Sequence, residues 1–73
     1  MALKDADRVG ETIRALREAQ GLPRRALAGR IHISPSHLAN IEAGRRGCTY
    51  AIACRVAAAL EVRLAAITVE TED

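Results

Sequence analysis

The sequence predicts an all-α domain, a compact bundle of about five short helices. Three observations lead there. The chain has 73 residues, enough for one domain, and a chain this short buries only about 60% of the surface its unfolded form exposes. Its apolar residues are small: 15 Ala, 7 Leu, 6 Ile and 4 Val, with one Tyr and neither Phe nor Trp, a palette suited to closely packed helices. Apolar residues recur at helical spacing, whereas a β sandwich or barrel would need turn signals every eight to twelve residues or so, with β-branched or aromatic runs between them.

Residues 8–19 read as the first helix, with Val9, Ile13 and Leu16 on one side, Ala15 and Ala19 filling in, and Glu11, Arg14, Arg17 and Glu18 on the other faces. Gly21 ends it. Pro23 sits where a helix can start without losing a needed N–H, and Arg24 to Arg30 forms a short second helix that buries Leu27, Ala28 and Ile31. Ser34 is a good N-cap and Pro35 a good first residue for a third helix, which runs to about Ala43 with Leu38 and Ile41 inward. Gly44 and Gly47 bracket Arg45-Arg46 in a loop. Thr49 then caps a fourth helix over 50–60, whose inward stripe is Tyr50, Ala53, Val56, Ala57 and Leu60. A last turn covers Arg63 to Ile67, and Thr68 to Thr71 alternates weakly, as a strand or a frayed tail would. The expected organisation is an N-terminal arm over 1–7, a globular domain over 8–67 and an acidic tail over 68–73, without internal repeats.

Several function classes drop out. No apolar run approaches the roughly 18 residues needed to cross a bilayer, and Asp5 and Asp7 stand where an export signal would carry basic residues, so a cytoplasmic protein without a membrane partner is expected. Cys48 and Cys54 lie six apart, which is poor disulfide spacing on a helix and fits a reducing compartment. His32, His37, Cys48 and Cys54 lack metal-site spacing, so no metal and no cofactor are expected, and both cysteines read as small hydrophobes. No Gly-rich phosphate loop, carboxylate pair in an apolar setting or nucleophile beside a base supports an enzyme.

Charge points elsewhere. The net charge is +2, but Glu70, Glu72 and Asp73 hold three of the nine acids, leaving +5 on residues 1–69. Residues 24–46 carry five Arg against Glu42 alone, or +4. Ten of the eleven bases are Arg, whose planar fork suits phosphates and base edges. This is the footprint of a nucleic-acid binder, with a solvated basic face as the plainer alternative.

Two short helices starting at Pro23 and Pro35 with a tight turn between them form a helix-turn-helix. Leu22, Leu27-Ala28, Ile33-Ser34, Leu38, Ile41-Glu42 and Gly44-Arg45, and later Val56-Ala57, Ala59-Leu60, Val62 and Leu64, carry a more specific likeness. With these residues the chain resembles the phage-repressor and Cro-type (XRE-like, lambda-repressor-like) DNA-binding domains, without a gap from about Arg8 to Ile67. Five positions depart from the family pattern. His32 stands where the family has a turn Gly, which takes a positive φ that His tolerates at some cost; Pro23-Arg24 replaces Ser-Gln; Cys48 replaces Pro; and Glu61 replaces Gly.

The resemblance implies that the third helix enters the major groove of double-stranded DNA while the second crosses the backbone. Pro35, Ser36, His37 and Asn40 would then face base edges or adjacent phosphates, because Leu38 and Ile41 face the core. Asn40 is the best base reader, since an amide can make a two-point contact to adenine. Arg24, at the second helix's N-terminus, and Arg45 and Arg46, beyond the third helix, are the phosphate contacts. Family members often pair an Arg near the end of the first helix with the Glu of the Ile-Glu-x-Gly motif, which implies a structural pair between Arg17 and Glu42.

The leading expectation is a sequence-specific transcriptional regulator, a repressor without catalysis, acting as a homodimer on a palindromic operator because one small module reads few base pairs. Ile52, Leu64, Ile67 and Val69 are the candidate dimer interface; alternatively they complete a small core. A second expectation is a protein-interaction module of the same fold, such as an antitoxin, whose acidic tail from Glu70 to Asp73 engages a basic protein partner.

Overall fold

The computed structural model describes residues 5–68. Four α-helices follow one another, α1 (Ala6–Ala19), α2 (Arg24–Ile31), α3 (Pro35–Glu42) and α4 (Tyr50–Leu60), and a 3-10 turn over Leu64–Ala66 closes the domain. Among the described residues there is no strand, and the fifth expected helix is this single turn. α1 starts at Ala6, two residues before the predicted start, which brings Asp7 into its first turn, where a carboxylate is favoured by the helix dipole.

Capping explains where α3 and α4 begin. The Ser34 hydroxyl accepts from the His37 N–H at 3.0 Å with Pro35 as first residue, and the Thr49 hydroxyl accepts from the Ile52 N–H at 3.1 Å. α2 starts after Pro23 without any side-chain cap.

All four α-helices end alike. One residue past α2 and α4, and two past α1 and α3, the chain takes a left-handed backbone: Gly21 (φ 66°), His32 (63°), Gly44 (80°) and Glu61 (57°). The next N–H reaches back five residues, Leu22 to Arg17 (3.1 Å), Ile33 to Ala28 (3.0 Å), Arg45 to Asn40 (2.9 Å) and Val62 to Ala57 (3.0 Å). This double closure satisfies the last carbonyls and turns the chain sharply. Leu22, Ile33 and Val62, the residues making the long bonds, pack against the core, as this motif favours. Arg45, in the equivalent place after α3, is exposed instead.

α1 packs on α3, and α2 packs on both α3 and α4. Between them Val9, Ile13, Leu27, Ile31, Leu38, Ile41, Val56 and Leu60 are fully or almost fully buried. Full burial of each such side chain contributes about 1.5–3 kcal/mol. Leu16 is half-buried at the rim of this core. α1 and α3 meet at their backbones: a Cβ on Gly10 would strike the Ile41 carbonyl oxygen.

One expectation is corrected here. The sequence places Tyr50 on the buried stripe of α4, but it is 56% exposed. It stands in the first turn at the edge of that stripe, and Ile52, Ala53, Val56, Ala57 and Leu60 form the buried side. Ile52 and Ile67, read either as a dimer surface or as completing a small core, pack into the core of this chain, with Ile67 only 1% exposed. The 3-10 turn folds Ile67 back under α4, since its N–H bonds the Leu64 carbonyl at 2.9 Å. Leu64 is half-buried against the same core, and Val69 lies outside the described residues together with the rest of the acidic tail through Asp73.

Candidate nucleic-acid interface

The capped start of α3 sets its rotation. Leu38 and Ile41 are fully buried, which turns Pro35 and Ser36 to solvent and leaves His37 and Asn40 partly exposed. All four residues expected to face base edges therefore lie on the accessible side of this helix. The N-terminal ends of α2 and α3 converge on an open cleft lined by Pro23, Arg24, Arg25, Pro35, Ser36 and Ala39. Because Pro23 supplies no cap, the free N–H groups of the first turn of α2 and the neighbouring guanidinium groups give this cleft a positive potential.

Behind the cleft lies a triad of charges. Arg17 donates to both oxygens of Glu42, Nε to Oε2 at 2.7 Å and Nη2 to Oε1 at 3.1 Å, and Nη1 donates to the Leu22 carbonyl at 2.9 Å. The side chains of Arg17 and Glu42 are 7% and 2% exposed, and no buried side-chain polar atom among the described residues lacks a partner. The hydrogen bond to Glu42 raises the Arg17 pKa above its usual value, outweighing the opposing effect of burial. Arg24 joins from α2, with Nε donating to Glu42 Oε1 at 3.1 Å. Glu42 thus touches two guanidinium groups and the triad keeps one net positive charge. Sequence reasoning pairs Arg17 with Glu42 but misses Arg24, since the third partner becomes visible only when α2 is set across α3.

Beyond α3, Arg45 and Arg46 are exposed, and the N–H groups of both donate to the Asn40 carbonyl, at 2.9 and 3.2 Å. The Arg45 side chain also turns back onto α3, where its Nε donates to Asn40 Oδ1 at 2.9 Å. Arg30 stands apart: its Nη1 reaches the Ala59 carbonyl of α4 at 3.4 Å, away from the helix-turn-helix face.

Cys48 is buried and Cys54 exposed, both as free thiols, and burial pushes the Cys48 pKa up to about 11. Among the described residues no cluster of His, Cys, Asp and Glu could hold a metal ion, and no helix is long and apolar enough to cross a membrane.

Comparison with known proteins agrees with this architecture. The family model for a helix-turn-helix domain matches residues 8–67. The clp gene regulator ClgR of Corynebacterium glutamicum superposes with a TM-score of 0.82 at 27% identity, covering 85% of this chain and 80% of that one. The restriction-modification controller protein C.AhdI of Aeromonas hydrophila gives 0.82 at 27% identity, covering 86% of this chain and 96% of that one. The same fold also occurs within a longer protein: iron(II) HppE gives 0.81 at 25% identity, covering 93% of this chain and 40% of that one. Among curated protein sequences none matches. The chain belongs to the helix-turn-helix family of lambda-repressor-like, Cro-type (XRE-like) DNA-binding domains.

Proposed function

We propose that this protein is a sequence-specific transcriptional regulator that represses by occupying an operator, reading the major groove with α3. The observation that carries the reading is the two-sidedness of α3, which buries Leu38 and Ile41 and offers Pro35, Ser36, His37 and Asn40 on a face flanked by Arg24, Arg45 and Arg46. The names of its structural neighbours, a gene regulator and a controller protein, support it. On this reading Pro35 makes apolar contact, Ser36 and His37 meet bases or adjacent phosphates, and Asn40 faces a base edge. Arg24 and Arg46 engage phosphates, and Arg45 adds its charge to the same face. The protein acts as a homodimer on a palindromic site, since one recognition helix reads only a few base pairs. Ile52 and Ile67 are spent on the core, so the dimer surface draws on residues left outside it, such as Leu64.

Selection of bound duplexes from a random oligonucleotide pool tests the proposal. The expected result is a palindromic consensus and mass-action binding of two chains per site. Arg24→Ala and Arg46→Ala should weaken selected and random duplexes about equally, each flattening the log–log salt dependence by about 0.9. A protein that binds no duplex at low salt would overturn the reading and leave association with a protein partner as the better account.

A further inference from the structure

The residue after α3 departs from the pattern of the other helix ends, and the departure falls on the reading face. After α1, α2 and α4 the residue that closes the C-terminal turn is Leu22, Ile33 or Val62, each packed on the core. After α3 it is Arg45, whose N–H bonds the Asn40 carbonyl at 2.9 Å while its Nε donates to Asn40 Oδ1, also at 2.9 Å. Asn40 therefore holds Arg45 at two points, one on the backbone and one at the guanidinium. Gly44, at φ 80°, sets the turn that makes both possible. A long exposed side chain loses rotamer entropy on binding, and one already held loses less.

From this clasp we infer that Arg45 is a base-reading residue for guanine, held in place by Asn40 as a positioning residue. An arginine has five N–H donors in a fixed fork. With Nε committed to Asn40, the free pair is the end-on one, Nη1 and Nη2, which matches the O6 and N7 acceptors of guanine in the major groove. Phosphate contact needs only a nearby positive charge, which the exposed Arg46 next along the chain already offers. Asn40 Oδ1 is engaged by Arg45, so Asn40 acts chiefly through the arginine it orients. The inference rests on α3 being the reading helix and extends the readout past its last turn, adding a guanine on the side of the site away from Pro35.

The test uses the full chain and the best duplex selected from the random pool. Each guanine of a half-site is replaced in turn by 7-deazaguanine, which lacks the N7 acceptor. One position should weaken binding of the parent protein, by less than the roughly 5- to 150-fold of a wholly lost two-point base contact because O6 remains. Arg45→Lys keeps the charge but loses the fork. It should lose about as much on the native duplex, keep the parent's salt slope, and show no further loss with 7-deazaguanine at that position. Asn40→Ala should reduce, without abolishing, discrimination at the same guanine. The inference is overturned if Arg45→Lys binds like the parent, or if Arg45→Ala weakens all duplexes uniformly while flattening the salt slope. It is also overturned if Asn40→Ala alters preference only at an adenine that Arg45 variants leave untouched. A parent without any preferred duplex would instead remove the reading on which the inference rests.

Discussion

Arg17 and Glu42 are joined by two charge-assisted hydrogen bonds, of 2.7 and 3.1 Å, across 25 residues of chain, and both side chains are nearly inaccessible. The pair ties the end of α1 to the end of α3, and the Leu22 carbonyl takes the guanidinium nitrogen that faces the next turn. A buried ion pair contributes little relative to a well-packed apolar pair, yet it is costly to break from one side. Glu42→Ala, which leaves Arg17 buried without a carboxylate at hydrogen-bond distance, should destabilise the domain by about 3–5 kcal/mol, and Arg17→Ala by less, since Arg24 still bonds Glu42 at 3.1 Å. The double substitution should cost less than the sum of the two. Denaturant unfolding in a double-mutant cycle checks this, and strict additivity would show that the pair is not coupled.

His32 and Glu61 hold left-handed backbones at φ 63° and 57°. For a residue with a Cβ that conformation costs about 1–2 kcal/mol, and a glycine relieves it at an entropic cost of about 0.5–1 kcal/mol. His32→Gly and Glu61→Gly are each expected to raise stability by up to about 1 kcal/mol, with additive effects because they close different helices. A lowered melting temperature for both variants would mean that those side chains contribute more than their strain costs.

Gly10 faces the opposite constraint. A methyl group there strikes the Ile41 carbonyl, which is backbone and cannot turn aside. Gly10→Ala gains up to about 1 kcal/mol of helix propensity, but α1 must move off α3. The expected net outcome is a loss of about 1–3 kcal/mol, in the range for overpacking, together with distortion around Arg17 and Glu42. Unfolding curves that match the parent would place α1 farther from α3 than described.

Ile67 is 1% exposed beneath α4. Ile67→Ala should cost about 2–5 kcal/mol, as for other buried aliphatic truncations. It should also leave self-association, measured by sedimentation at a temperature where the variant is folded, close to that of the parent. Loss of a dimer without loss of stability would return Ile67 to the subunit interface.

Much of this protein is legible along its chain because the signals are local. Ser34-Pro35 and Thr49 start helices through bonds that span three residues, and the spacing of Val9 with Ile13 and of Leu38 with Ile41 marks one side of a helix before any partner is known. From those sides follow the outward residues of α3, and the words around Ile41-Glu42 and Gly44 suffice for the family. What the tertiary structure decided depends on distances between residues far apart in sequence. Tyr50 and Ile52 differ by two positions, and only the seat of α4 on α2 says which of them is covered. Ile67 reads equally as a surface anchor or a core residue until the last turn is folded under α4. Gly10 looks dispensable until α3 lies against it, and Arg24 looks like a free cation until α2 crosses Glu42. The clasp of Arg45 on Asn40 is short in sequence, yet it too needed the folded turn, because the left-handed residue between them reverses the chain and brings the two side chains together. Helix starts and faces follow from hydrogen bonds and periodicity within a few residues, whereas burial and ion pairing are set by which helices meet.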